Sequence, residues 1–229
     1  FRNLREHPRW LGAFALISVL TIVYSVAFVQ RVTPETIAQH TYEKMGEMGS
    51  FAPPQEAREQ IKADTIDALK NPVRRAAGLA NSIVGIFVLS VIVAALSLLG
   101  VLAFGGRINF WQSLSVSLWA ALPVVLIMKL LGLVILYLKS ADDLHPILNQ
   151  ETTLQDNLGI LVSPADHPIL FVLASFIGLT SFYGLWLRAK GLHLGATRAS
   201  SGVGWGVAIT LWILALIIAL IFTALFPSF

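Results

Sequence analysis

The sequence predicts an all-α, polytopic membrane protein with five transmembrane helices and an extracytoplasmic helical hairpin between the first and second. Three observations indicate this fold class. Five apolar runs each reach the roughly 20 residues that a helix needs to cross the hydrocarbon core of a bilayer, and none contains Asp or Glu. Charged residues make up 13% of the chain, about half the fraction usual for a soluble domain. The connections between the runs alternate in net charge.

The predicted spans cover residues 10–31, 79–104, 111–138, 168–188 and 203–226. Helices of a soluble protein would carry polar faces, and these runs have none. The first run is longer than the core of a signal peptide and has no small-residue cleavage site near its end, so it is predicted to be a retained span. Residues 1–229 are therefore predicted to form a single transmembrane domain.

Basic residues are distributed unevenly between the two predicted sides of the membrane. One side holds the N-terminus, residues 105–110 and residues 189–202; counted with Arg188 at a helix end, it carries seven Lys or Arg and one acidic residue. The other side carries eight basic and twelve acidic residues. Because short cytoplasmic loops are enriched in Lys and Arg, the N-terminus is predicted to be cytoplasmic and the C-terminus extracytoplasmic.

The hydrophilic segment 32–78 is predicted to contain the hairpin. Thr33-Pro34-Glu35 is typical of a helix start, with a capping hydroxyl, a proline in the first turn and an acid near the positive helix end. Gly49-Ser50 and Pro53-Pro54 are expected to break this helix, and a second helix is predicted over 55–70. The pair either covers the outer ends of the spans or docks a partner or the membrane surface.

Three stretches, in this order and spacing, resemble the bacterial branch of the Yip1 family of five-span membrane proteins. The first is Phe1–Leu11, a basic lead-in that ends in Pro8-Arg9-Trp10-Leu11. The second is Gly105-Gly106, followed by Phe110-Trp111-Gln112-Ser113 and later by Pro123. The third is Ser181–Trp186, followed by Lys190-Gly191-Leu192. Gly178 departs from the pattern, because relatives often have an acidic residue shortly before the aromatic-Trp segment.

The resemblance implies a five-span fold with a cytoplasmic N-terminus, in this case in a bacterial inner membrane. It implies a non-enzymatic scaffold or accessory subunit that binds other membrane proteins, lipid or both. Eukaryotic relatives bind small GTPases and act in vesicle traffic. No functional residue is carried over from the family to this chain.

Lys129 has an ionisable side chain inside a predicted span, where such residues are expensive and indicate function by default. Snorkelling to the outer interface would have to cover about 13 Å, since that interface is predicted near Lys139. The candidate contacts for Lys129 are loop acids, helix carbonyls, Asn81, a lipid or an anionic ligand. A transporter or channel component with Lys129 near an anionic substrate is therefore the alternative function.

Small residues and one proline are predicted to shape the packing of the spans. Ser90 and Ser97 lie on one face of the second span, and Gly202 and Gly206 form a small-xxx-small pair at the start of the fifth, where helices pack closely. Pro123 is predicted to kink the third span or to act as a hinge.

Several classes of function are excluded at this stage. The five histidines lie in loops or at helix ends, which disfavours a haem ligand within the membrane, and the chain has no cysteine. Catalytic and phosphate-binding motifs are absent. The sequence therefore predicts no enzyme activity, no metal and no cofactor; the expected partners are the lipid bilayer and other membrane protein subunits, and not nucleic acid.

Overall fold

A computed structural model describes residues 1–47, 52–139, 156–163 and 166–225. After a 3-10 turn at Arg2–Arg5, the chain forms a series of helices. They are α1 (Trp10–Arg31), α2 (Pro34–Glu47), α3 (Gln55–Lys70), α4 (Pro72–Ala103), α5 (Phe110–Leu138), α6 (Pro168–Ser175), α7 (Leu179–Gly195) and α8 (Ser201–Leu225). The predicted break at Gly49-Ser50 lies outside the described residues.

Four of these helices, α1, α4, α5 and α8, are long and apolar enough to cross a membrane. The prediction of one continuous helix over 168–188 is wrong, because α6 ends at Ser175 and α7 begins at Leu179. Gly178 is extended, with φ −147° and ψ 160°, and it pairs with Asn157 in an isolated antiparallel bridge. Backbone groups freed by the break thus bond to another segment, as irregular backbone in a membrane protein requires.

Side-chain caps set several helix ends. Asn71 accepts hydrogen bonds from the Val73 and Arg74 amides, so α4 begins seven residues before the predicted start of its apolar run. Asn109 and Gln112 form a capping box at the start of α5. Arg31, at the end of α1, donates to the Leu136 and Lys139 carbonyls at the end of α5, at 3.2 and 2.8 Å.

The α5 helix lies at the centre of the bundle and packs against α1, α4 and α7. Its first half is buried from Ser113 to Leu118, and the Ser113 hydroxyl donates to the Ala94 carbonyl of α4 at 2.7 Å. The N-terminal segment is attached to the same helix, since the Trp119 indole donates to the Arg9 carbonyl at 2.8 Å. Residues of α5 therefore line the spaces between this helix and α1, α4 and α7.

Glycines allow α7 to approach its neighbours closely. A Cβ at Gly191 or Gly195 would lie 2.7 or 2.6 Å from a methyl group of Val116 in α5. At Gly204 of α8 the closest atom is the Ala189 backbone carbonyl oxygen of α7, nearer than any real Cβ contact allows. These close contacts therefore fix the position of α7 relative to α5 and α8.

Polar contacts join α2 and α3. Glu35, in the first turn of α2, forms an ion pair with Lys70 at the end of α3, at 2.5 Å. Further along, Lys62 donates to the Gln39 amide oxygen at 2.7 Å, and Arg58 lies over the Tyr42 ring. The contacts run in opposite directions along the two helices, so the two helices are antiparallel.

The Glu35–Lys70 pair gives a prediction about pH. The hydrogen bond from Lys70 holds the pKa of the Glu35 carboxyl below its ordinary value. The stabilisation is therefore complete above about pH 4.3, the pKa of an unperturbed glutamate, and is lost as the pH falls through the lower folded-state value. We expect Glu35→Gln to lower the melting temperature slightly at pH 7 and by less at pH 3, where part of the stabilisation from the pair is lost.

The comparison requires a carboxylate outside the pair. Glu59→Gln, at an exposed position of α3, is the matched control. The difference between its melting temperatures at pH 7 and pH 3 should equal that of the wild type. Melting temperatures of all three proteins in the same detergent give the result. A Glu35→Gln effect of equal size at both pH values would contradict the assignment.

Candidate functional site

A cavity of about 330 Å³ lies between α1, α4, α5 and α7. We call it the basic cavity, because its lining within the described ranges contains two cationic side chains and no acidic one. Its lining residues are Ile17, Thr21, Ile86, Leu89, Ser90, Val93, Ser117, Ala121, Val125, Lys129 and Arg188. On α5 the lining residues recur every four positions from Ser117 to Lys129, so one face of that helix forms a wall.

Lys129 is half-buried at one end of this wall. Its ammonium group lies 4.2 Å from the centroid of the Tyr24 ring, within the distance at which a cation is attracted to an aromatic face. Tyr24 is itself buried between Gly132 and Phe28. The ring is therefore fixed in place and holds the ammonium group beside the cavity.

Arg188 is the residue that sequence reasoning missed. It was expected at a cytoplasmic helix end, but α7 continues for seven residues beyond it to Gly195, and its side chain is largely buried. It borders the basic cavity and a second one of about 230 Å³, where it meets Ala121 and Val125 of α5. Ala121 lies about 16 Å along α5 from Phe110.

The position of Arg188 could have been suspected from the small residues that follow it. Ala189, Gly191 and Gly195 are buried, which is the pattern of a packed helix and not of a loop. Hydropathy alone predicts that the span over 168–188 ends at Arg188, because this is the first charged residue of the run.

The Arg188 guanidinium has little compensation from the protein. Its Nε is buried without a hydrogen-bond partner among the described residues, as is the Ser117 hydroxyl, which lines the same cavity. Over the described ranges, the ion pairs are Glu35–Lys70 and Asp67–Arg74, and neither includes Arg188. The site is therefore electropositive and suited to an anionic group.

The break between α6 and α7 places an acid near this region. The Asp156 carboxylate accepts from the Thr180 amide at 2.7 Å, in the first turn of α7, where a negative charge interacts favourably with the helix dipole. Gly178 has no room for a side chain, because a Cβ there would lie 2.9 Å from the Asn157 Cβ. Asp156, which is distant in sequence, thus places a carboxylate beside Thr180, two residues after Gly178.

The other predicted site residues lie in several environments. Asn81 is exposed on α4 and does not line the basic cavity, whereas Ser90 does. The Ser97 hydroxyl is buried and has no hydrogen-bond partner in the part of the chain that the structure describes. Gly202 is exposed and Gly206 is half-buried, and the closest helix approach is at Gly204 between them. The α5 helix continues through Pro123; its role as a kink or hinge stays a prediction.

A family model described as the Yip1 domain matches residues 1–223. The chain belongs to the Yip1 family. The predicted resemblance is therefore confirmed, and this Yip1 protein is an integral membrane protein with several apolar helices. No curated protein and no solved structure matches the chain significantly.

The Yip1 landmarks of the sequence lie close to the cavities. Gly105 adopts φ +78° in the turn before α5, a left-handed conformation that favours glycine. Ser181 and Gly184, from the aromatic-Trp landmark on α7, line the second cavity together with Arg188. The aromatic-Trp landmark of this Yip1 domain thus contributes to the surroundings of the Arg188 side chain.

Proposed function

We propose that this Yip1 protein is a non-enzymatic membrane scaffold or accessory subunit that binds other membrane proteins, lipid or both. In this proposal α6 and α7 together make the fourth of five crossings, with about 25 helical residues against the roughly 20 required. The N-terminus is cytoplasmic, the C-terminus is extracytoplasmic, and α2 and α3 form a hairpin on the outer side of a bacterial inner membrane. The charge asymmetry of the connections supports this orientation.

One face of α4 supports the binding role most directly. Gly78, Asn81, Ser82 and Gly85 recur at helical spacing and are all exposed; we call them the small-residue face of α4. No described residue outside the helix lies within 4 Å of the position that a Cβ would take at Gly78 or Gly85. These glycines therefore serve no packing within the described chain, while small residues let a neighbouring transmembrane helix approach closely.

Copurification tests the scaffold. After mild solubilisation of native membranes, the wild-type protein is expected to retain a stoichiometric membrane protein partner, and Gly85→Leu is expected to lose it by blocking the close approach. Val84→Leu, at an exposed position off the small-residue face, is the matched control and should retain the partner. A wild-type protein recovered as a bare monomer, free of partner and lipid, would overturn the proposal.

A transporter or channel component for an anionic substrate is the second candidate. The basic cavity favours it, since Lys129 and Arg188 line one space inside the bundle. The discontinuous crossing at Ser175–Leu179 also favours it, because broken helices line substrate sites in transporters. Lys129→Met is expected to abolish anion flux in reconstituted vesicles while the protein stays folded. Unchanged flux, or no flux in the wild type, would reject this candidate.

A further inference from the structure

Arg188 of α7 and Ser117 of α5 provide two buried donors that line the basic cavity. The Arg188 Nε and the Ser117 Oγ both lack a hydrogen-bond partner among the described residues. Buried polar groups in native proteins almost always have a partner. Two such groups lining one cavity therefore point to an acceptor that enters the cavity from outside the described chain.

The charge of the cavity defines the chemistry of that acceptor. Lys129 borders the same cavity as Arg188, and the part of the lining that the structure describes contains no carboxylate. A planar guanidinium binds phosphate or carboxylate oxygens in pairs, and an ammonium adds a point charge. The acceptor is therefore an anionic group, either a phosphate or a carboxylate.

The size and the remaining lining residues show that the ligand is larger than its charged group. The volume of about 330 Å³ lies within the range of small-molecule pockets. Ile17, Ile86 and Val93 supply an apolar surface. Leu89, which also lines the cavity, is 62% exposed on the outer surface of α4. The cavity therefore reaches the surface that faces the lipid chains.

We infer that the basic cavity binds an anionic amphiphile that enters from the bilayer. Its phosphate or carboxylate is held by Arg188 and Lys129, and an acyl chain lies along Ile86, Leu89 and Val93. This inference deepens the proposed scaffold function by naming the class of lipid, but it does not depend on the small-residue face of α4. Loss of the partner on Gly85→Leu would support the scaffold proposal. If the wild-type protein then showed no preference for an anionic lipid, the scaffold proposal would stand and the present inference would be overturned.

Native mass spectrometry of the delipidated protein tests the inference. The probes are phosphatidylglycerol and phosphatidylcholine with the same acyl chains, together with inorganic phosphate. We expect the wild type to retain phosphatidylglycerol at least tenfold more than phosphatidylcholine, and Arg188→Gln to lose this preference. Lys190→Gln removes an exposed charge two residues along α7 and should stay within twofold of the wild type.

A second measurement covers the case in which Arg188→Gln does not fold. Phosphatidylglycerol should raise the melting temperature of the wild type, and Lys129→Met should reduce this rise, while phosphatidylcholine has little effect. Equal retention of the two lipids by the wild type would overturn the proposal. Stabilisation by inorganic phosphate alone, without retention of phosphatidylglycerol, would identify a free anion and overturn the assignment to an amphiphile.

Discussion

Replacing Gly204 by alanine is expected to lower the free energy of unfolding by about 2 kcal/mol. The added methyl group would overlap the Ala189 carbonyl oxygen of α7 and approach His193 to 3.2 Å. A carbonyl within a helix cannot move aside as the end of a flexible side chain can. The α7 and α8 helices must therefore separate, which weakens the other contacts between them.

Gly206→Ala is the matched control for this prediction. The same substitution two residues along α8 places the methyl group 3.6 Å from the Phe104 ring, at ordinary contact distance. It should therefore be neutral or slightly stabilising, because alanine favours a helix over glycine by up to about 1 kcal/mol. Unfolding in SDS, followed by tryptophan fluorescence, measures both variants. Equal stability of the two would show that the close approach at Gly204 is unimportant.

Tyr24→Ala is expected to destabilise the protein by about 3 kcal/mol, as large-to-small substitutions in a packed core do. The Tyr24 side chain is 1% exposed, packs onto Gly132 of α5 and stacks on Phe28 at 6.2 Å between ring centroids. Its removal leaves a void between α1 and α5. It also withdraws the aromatic face from the Lys129 ammonium group.

Val23→Ala is the matched control for Tyr24→Ala, because it truncates a side chain that lies on the surface of α1 and not in the packed core. Val23 precedes Tyr24 in α1 and is 49% exposed. Much of its side chain therefore contacts lipid, and lipid chains are as apolar as the protein atoms that a valine would otherwise contact. We expect its loss to change the unfolding free energy by less than about 0.5 kcal/mol. The same SDS unfolding measurement applies. A Tyr24→Ala protein as stable as Val23→Ala would contradict the central place of Tyr24 in the α1–α5 contact.

Sequence reasoning succeeded where local signals determine the structure. The apolar run of α1 ends at Arg31, and α3 begins at Gln55 after two prolines, as predicted. The start of α4 was predicted seven residues late, because hydropathy marks where a run becomes apolar and not where the Asn71 cap begins the helix.

The larger errors concern features that depend on distant residues. The break at Gly178 is stabilised by Asp156 and Asn157, about 20 residues earlier in the chain, and no window of local hydropathy contains that contact. Arg188 was assigned to a helix end because a charge usually ends an apolar run. Its burial depends on α5 and on the glycines that bring α7 close, and these appear only in three dimensions.

The break between α6 and α7 also constrains how the protein is assembled in the membrane. A helix of eight residues, α6, is far too short to insert on its own, and the ends exposed at the break would be unpaired in lipid. The backbone partners of the break are the Ile177 carbonyl with the Leu158 amide and the Asp156 carbonyl with the Leu179 amide. The proposed fourth crossing therefore needs residues 156–158 folded against the break before its backbone can lie in the hydrocarbon core.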